Sequence, residues 1–116
     1  MPPSHKKYLH IASSMRRINQ RYKLHDPKAV WMLEAVLTAH ADEEKITVLD
    51  LILLKEIASQ ATLHAVMKSL VEFKLIKTEI SKEDARRKYV LPAKLGLAWL
   101  NECSEVLCPP PRKSAP

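Results

Sequence analysis

Residues 77–91 constrain the fold more than any other part of the chain. Two short runs of alternating apolar residues flank a polar tip, as expected for two antiparallel strands joined by a loop. The tip contains no glycine, which excludes a tight two-residue turn and predicts a longer hairpin loop. Four cationic side chains lie in or beside this tip: Lys82, Arg86, Arg87 and Lys88. The sequence therefore predicts a positively charged β-hairpin.

The composition fits one folded domain. The chain has 116 residues, of which 47% are apolar, and both values suit a single domain with its own core. No apolar run approaches the ~20 residues needed to cross a bilayer. The basic N-terminus lacks the apolar stretch and cleavage site of a secretory signal. We therefore expect a cytoplasmic protein with one domain over residues 1–108 and a disordered, proline-rich tail at 109–116.

Residues that bind metals or perform catalysis are sparse. Cys103 and Cys108 are the only cysteines, and two thiols without a neighbouring histidine do not make a zinc site. His40, Asp42 and Glu43 are close in sequence, but such mixed ligands on a loop are usually just solvated. No Ser-His-Asp arrangement, catalytic carboxylate pair or phosphate loop is recognisable. We expect two reduced thiols, no cofactor, no metal and no enzymatic activity.

The positive charge is concentrated in two places. The net charge is +6, and residues 1–25 carry six lysines and arginines with no acidic residue. The tip of the predicted hairpin is the second basic region. Two separated basic regions suit a surface that binds nucleic-acid phosphates, because each neutralised phosphate releases condensed counterions. A merely basic, soluble surface is the alternative that the charge alone leaves open.

Hydrophobic periodicity predicts five helices and three short strands. The predicted helices span residues 5–22, 27–40, 48–58, 61–74 and 93–107, and the strands span 46–47, 75–80 and 89–91. Ser4, Asp26 and Thr47 are the expected helix N-caps. Pro92 is expected to end the last strand.

The same periodicity predicts which side chains face the core. In the first two helices these are Tyr8, Ile11, Ala12, Met15, Ile18, Tyr22, Val30, Trp31, Leu33, Leu37 and Ala41. In the next two they are Leu51, Leu54, Ile57, Leu63, Val66, Met67, Leu70 and Val71. Trp31, Trp99 and Tyr89 are expected to be core aromatics.

The helices predicted at 48–58 and 61–74 have the spacing of a helix-turn-helix. Such a unit allows its second helix to lie in the ~12 Å-wide major groove of DNA and present side chains to base edges. Gln60, Thr62 and His64 lie towards the N-terminal end of that helix, where bases are usually contacted. Lys68 is better placed for a phosphate. This helix carries little positive charge and no arginine.

Residues 81–91, followed by residues 93–96, resemble the wing and the following helix of MarR-type winged-helix regulators. Asp84 and Arg86 match the Asp-x-Arg of that wing, and Gly96 matches its glycine-containing helix. The resemblance covers about residues 27–101. It implies an α+β fold, mostly helical, in which a winged helix-turn-helix over 46–91 carries a small antiparallel β-sheet. Helices flank this unit at both the N- and C-terminal ends.

The resemblance also implies a function and a role for individual residues. It implies a transcriptional regulator that binds double-stranded DNA as a homodimer, with the helix at 5–22 available for dimerisation. Asp84 would orient Arg86, and Arg86 would enter the minor groove, whose negative potential attracts a guanidinium group. Arg87 and Lys88 would contact phosphates, and Lys82 adds charge at the tip. The sequence specifies no small-molecule effector.

Two departures from the family pattern leave alternatives open. Lys74 stands where the family usually has a helix-ending glycine, and Pro92 stands at the position of a Leu-Thr pair. The weakly charged second helix also suits a winged helix that binds protein rather than DNA. A nonspecific DNA-binding protein without a regulatory effector is the other alternative.

Overall fold

The computed structural model describes residues 1–54 and 58–108. Within these ranges, five helices and three strands follow in the predicted order. They are α1 (Pro3–Arg21), α2 (Pro27–Ala41), β1 (Ile46–Thr47), α3 (Val48–Ile52), α4 (Gln60–Glu72), β2 (Ile76–Ile80), β3 (Lys88–Pro92) and α5 (Lys94–Leu107). The predicted α+β fold with a small antiparallel sheet is confirmed. The expected tail at 109–116 lies outside the described residues.

The three strands form one antiparallel sheet in the order β1-β3-β2. β2 and β3 are the two arms of the predicted hairpin, and Thr78 lies opposite Val90 in their register. The short strand β1 adds to the other side of β3, where Ile46 pairs with Val90 and Thr47 with Tyr89. The sheet therefore ties the hairpin to the start of α3.

Capping side chains define where three helices begin. Asp26 accepts a hydrogen bond from the backbone N–H of Lys28 at the start of α2. Thr47 and Asp50 exchange side-chain and backbone hydrogen bonds in a capping box that starts α3. The predicted cap at Ser4 is wrong, because α1 already begins at Pro3 and Pro2 occupies its N-cap position.

α1 and α5 are held together by polar contacts at the edge of the core. The indole N–H of Trp99, which is 2% exposed, donates to the side-chain oxygen of Asn19 at 2.8 Å. The hydroxyl group of Tyr22 donates to the carboxylate of Glu102, and Arg21 forms an ion pair of 2.6 Å with the same carboxylate. The C-terminal half of α1 is thereby fixed against α5.

The core agrees with most of the predicted inward-facing positions. Its largest fully buried side chains are Trp99, Met32, Leu33, Leu51, Leu63, Leu70, Leu75, Ile76 and Val36. Three predictions are wrong: Tyr8, Ala41 and Val71 are exposed. Tyr8 lies in the first turns of α1, where every residue from 1 to 10 is exposed. Ala41 is the last residue of α2, and Val71 lies one step around α4 from the buried stripe that ends at Leu70.

Two predicted boundaries are also corrected. The helix predicted at 48–58 ends at Ile52, because Leu54 donates to the carbonyl of Leu51, only three residues earlier, and the chain tightens into a turn. Ile57 lies outside the described residues. The last strand includes Pro92, opposite Ile76. β1 pairs only with Tyr89 and Val90, so Pro92 has no neighbour on that side and needs no N–H there.

Candidate nucleic-acid interface

The tip of the hairpin is ordered by side-chain hydrogen bonds instead of by a glycine. The hydroxyl oxygen of Ser81, a buried residue, accepts from the backbone N–H groups of Glu83 and Asp84, each at 3.2 Å. Backbone bonds from Ser81 to the carbonyl of Arg87 and from Arg87 to the carbonyl of Asp84, both 2.9 Å, close the loop. Sequence reasoning missed Ser81, although a serine at the start of a turn is a common acceptor for such bonds.

Asp84 holds the backbone and the side chain of Arg86 at the same time. One of its carboxylate oxygens accepts from the Arg86 backbone N–H at 3.0 Å and from Nε at 3.3 Å. The Arg86 side chain is nevertheless 91% exposed. Its guanidinium group is therefore tethered at one end and open to solvent, an arrangement suited to an external anion.

A groove of about 730 Å³ lies between α3, the N-terminal turns of α4 and the hairpin. We call it the wing groove. Its lining consists of Lys45, Thr47, Val48, Leu49, Asp50, Ile52, Gln60, His64, Arg86, Arg87, Lys88 and Tyr89. Five of the residues predicted to bind DNA line this one groove. Two come from α4 and three from the hairpin, which are far apart in sequence.

Three of the predicted DNA-binding residues lie outside the wing groove. Thr62 is half-buried, and its hydroxyl accepts from the hydroxyl of Ser59, which caps α4. Lys68 is exposed further along α4, and Lys82 is exposed at the tip of the hairpin. Nothing in the fold tests the roles predicted for these residues, which stay predictions.

The wing groove contains two residues that sequence reasoning did not assign to it. Lys45, on the loop before β1, places its ammonium group 5.1 Å from the centre of the Tyr89 ring. Tyr89 was expected in the core but is half-buried and lines the groove. The signal in the sequence was a lysine directly before a short strand. It became informative only when pairing of Thr47 with Tyr89 brought the two together.

The cations of the wing groove are largely without acidic partners. Among residues 1–54 and 58–108, Lys45, Arg87 and Lys88 form no ion pair, and Arg86 pairs only with Asp84. The carboxylate of Asp50 also lines the groove, but it accepts a hydrogen bond from the backbone of Thr47. The arrangement can neutralise a polyanion at several points.

Other kinds of site find little support in the described part of the chain. It contains no group of three or more histidine, cysteine or acidic side chains that could hold a metal ion. No helix there is long and apolar enough to cross a membrane. Cys103 is a buried free thiol, and burial raises its pKa to about 11, whereas Cys108 is a free, exposed thiol.

Comparison with known proteins gives structural matches only. No protein-family model matches the chain, and a search of curated proteins finds no significant match. The structure is similar to that of S. aureus MepR in a complex with DNA. The TM-score is 0.71 at 15% sequence identity, and the match covers 86% of this chain and 71% of that chain.

Two further structures extend this similarity. MepR bound to ethidium bromide matches with a TM-score of 0.61 at 16% identity, over 92% of this chain and 76% of that one. The transcriptional regulator Tm0710 from Thermotoga maritima matches with a TM-score of 0.64 at 12% identity, over 87% of this chain and 67% of that one. The resemblance that the hairpin carries is therefore confirmed at the level of the fold: the chain has the winged-helix fold of MarR-type regulators.

Proposed function

We propose that this protein is a DNA-binding transcriptional regulator that holds duplex DNA in the wing groove. The observation that carries the proposal is that the N-terminal turns of α4 and the cationic hairpin line the same groove. A helix and a basic wing in this arrangement can contact neighbouring grooves of one duplex. The similarity to a structure of MepR in complex with DNA supports the same function.

Each part of the groove then has its own task. α4 enters the major groove, where Gln60 and His64 contact base edges and Thr62 helps to start the helix. Arg86 enters the adjacent minor groove, held by Asp84. The remaining cations bind phosphates: Lys68, Lys82, Arg87 and Lys88. Because the base-reading helix has little charge, much of the affinity comes from the hairpin and from the basic α1.

The active form in this proposal is a homodimer joined through α1 and α5. Residues 1–10 are all exposed, and they include the large apolar side chains of Tyr8 (68% exposed) and Leu9 (52% exposed). Two helical turns without tertiary contacts are not stable in water on their own, so a second copy is needed to cover them. A dimer would place two α4 helices about 34 Å apart on a pseudo-palindromic site.

The test is binding to a pool of genomic duplex fragments at several salt concentrations, with the molecular mass in solution measured alongside. Selected fragments should share a two-fold-related sequence, and the mass should be that of two chains. Arg86→Ala should weaken binding to a selected fragment by about 1–3 kcal/mol and change selectivity at the minor-groove position. Lys94→Ala removes the same charge from an exposed residue of α5 outside the groove, and serves as the control.

The result has two ways of opposing the proposal. Binding of Arg86→Ala as tight as that of the parent at physiological salt would remove the wing from the interface. Equal binding to random and genomic fragments would replace a regulator with a nonspecific DNA-binding protein.

One observation favours a second candidate, a winged helix that binds a protein partner. Leu49 lines the wing groove and is 62% exposed, and Leu53 nearby in sequence is 48% exposed. Exposed leucines of this size suit an apolar protein segment better than a phosphate backbone. Absence of any salt-dependent duplex binding, together with a loss of partner binding in Leu49→Ser, would favour this candidate.

A further inference from the structure

The side chain of Lys45 is held in the wing groove by an aromatic ring. Its ammonium nitrogen lies 5.1 Å from the centre of the Tyr89 ring, within the range in which a cation is attracted by the ring's electron-rich face. Tyr89 is on the central strand β3, opposite Thr47 of β1. The sheet therefore fixes the distance between the loop that carries Lys45 and the ring below it.

Lys45 keeps its charge available for an external anion. Within the described ranges it forms no ion pair, although Glu43 and Glu44 directly precede it and Glu79 lies opposite Tyr89 in β2. A cation–π contact engages one side of the ammonium group and leaves its other donors for hydrogen bonds. The lysine is thus positioned without being neutralised.

Lys45 also shares the wing groove with the cations of the hairpin. The groove is lined by Lys45 and Tyr89 together with Arg86, Arg87 and Lys88. Lys45 belongs neither to the helix-turn-helix nor to the hairpin, so it adds a cation from a third segment of the chain. A ligand long enough to fill the groove would meet positive charge from both segments.

We propose that Lys45 binds a backbone phosphate of the duplex and that Tyr89 is its positioning residue. The inference rests on the proposed function and extends it to two residues outside the predicted set. A lysine is a flexible point charge, and ordering its side chain normally opposes binding. Contact with Tyr89 limits the number of conformations before DNA arrives, so less ordering remains when the phosphate binds. The contact is with phosphate, and it carries no sequence information.

The experiment measures duplex binding of the full chain as a function of salt, with a fragment selected by the wild-type protein. Lys45→Ala should lower the slope of log K against log salt by about 0.9, the value for one phosphate contact, and weaken binding five- to tenfold near 0.1 M salt. The loss should be the same for selected and random duplexes. Lys94→Ala, which removes an equal charge outside the groove, should leave the slope unchanged.

The role of Tyr89 is tested by comparing two substitutions in two backgrounds. Tyr89→Phe keeps the ring and should bind like the wild type. Tyr89→Leu removes the ring and should weaken binding about two- to fivefold, the range expected for losing an exposed cation–π contact. In a Lys45→Ala background, Tyr89→Leu should have no further effect, a result that a merely structural role of Tyr89 would not give.

Each outcome decides between the proposals. An unchanged salt slope in Lys45→Ala, with the wild type still binding duplex, overturns this inference and leaves the proposed function standing. Equal losses from Tyr89→Leu in both backgrounds overturn the positioning role. A wild-type protein that binds no duplex at any salt concentration overturns the proposed function, and this inference with it.

Discussion

The backbone of Gly96 in α5 packs directly against the carbonyl oxygen of Leu75, the residue before β2. A Cβ atom at position 96 would overlap that oxygen, and it would also lie 3.2 Å from the Leu75 carbonyl carbon and 3.3 Å from a methyl group of Leu33. The same carbonyl accepts a hydrogen bond of 3.0 Å from the backbone of Ala93. α5 can therefore approach the base of the hairpin only because the one glycine of the chain is at this position.

Gly96→Ala should destabilise the protein, despite alanine's better helix propensity. The obstructing atoms belong to the backbone, so relief requires α5 to move away from β2. Overpacking of this kind costs about 3 kcal/mol, against a propensity gain of about 1 kcal/mol, so we expect a net loss near 2 kcal/mol. Urea denaturation followed by circular dichroism measures it. Asn101→Ala, at an exposed position of the same helix, is the control, and equal stability of both variants would contradict the close packing.

The contact between Tyr22 and Glu102 predicts a pH dependence of stability. The hydrogen bond from Tyr22 and then the Arg21 guanidinium lower the pKa of Glu102 from its ordinary 4.5, although burial opposes the shift. The same hydrogen bond raises the pKa of Tyr22 above 10.0. A lowered carboxyl pKa stabilises the fold above the unfolded value, and this contribution is lost as pH falls through the folded value.

Tyr22→Phe should therefore lower stability by about 1 kcal/mol at pH 7, as expected for a partly exposed hydrogen bond to a charged group. The difference from the wild type should persist down to about pH 5 and shrink below pH 4.5, as Glu102 becomes protonated. Chemical denaturation at a series of pH values measures the difference. Tyr8→Phe provides the control, because Tyr8 is 68% exposed. A Tyr22→Phe effect that stays constant to pH 3 would show that Glu102 is not the partner that matters.

Three helices end in the same way without the glycine that usually allows it. Lys23, Glu43 and Lys74 follow α1, α2 and α4 with φ values of 61°, 57° and 61°. After each helix, the next backbone N–H closes a bond across its last turn; Leu75, for example, donates to the carbonyl of Leu70 at 3.0 Å. These are Schellman motifs, in which a left-handed residue strains any side chain other than glycine.

Lys74→Gly should raise the free energy of unfolding. Removing the Cβ relieves about 1–2 kcal/mol of left-handed strain, and the greater freedom of glycine in the unfolded chain returns part of it, leaving a gain of about 0.5–1 kcal/mol. The melting temperature measures the gain. Glu72→Gly, two residues earlier within α4, should do the opposite and lower the melting temperature. Destabilisation by both substitutions would mean that the φ of Lys74 carries no strain.

The order of the elements was predictable because local rules decided it. Asp26 before Pro27 and Thr47 before an apolar run are capping signals that operate within one turn, and both helices begin there. The turn after Ile52 and the exposure of Tyr8 were not predictable in this way. The hydrophobic pattern continues through both positions, whereas the body of the protein does not reach the first two turns of α1.

The candidate site divides along the same line. Arg86, Arg87 and Lys88 could be found from sequence because their charge is concentrated in one hairpin. Lys45 could not, since its closeness to Tyr89 depends on β1 pairing with β3, which are more than forty residues apart. Ser81 was missed for a different reason. Its hydroxyl replaces the glycine that a tight turn needs, and a polar loop gives no sign of which residue does so.

Asp84 offers a test in which orientation and simple electrostatics predict opposite results. Removing an acidic residue beside DNA should strengthen binding if only net charge matters. Asp84→Ala should instead weaken duplex binding about two- to fivefold, because both the backbone and Nε of Arg86 lose their acceptor, and such exposed contacts are worth under ~1 kcal/mol. Glu83→Ala changes the charge equally at the neighbouring exposed position, where the side chain forms no ion pair with described residues.

Glu83→Ala should therefore strengthen duplex binding slightly, and Asp84→Asn should bind more tightly than Asp84→Ala, since the amide oxygen can still accept from the Arg86 backbone. Fluorescence anisotropy with one selected duplex at fixed salt compares the three variants. Stronger binding by Asp84→Ala, to the same degree as by Glu83→Ala, would mean that Asp84 acts on DNA only through its charge and that Arg86 needs no tether.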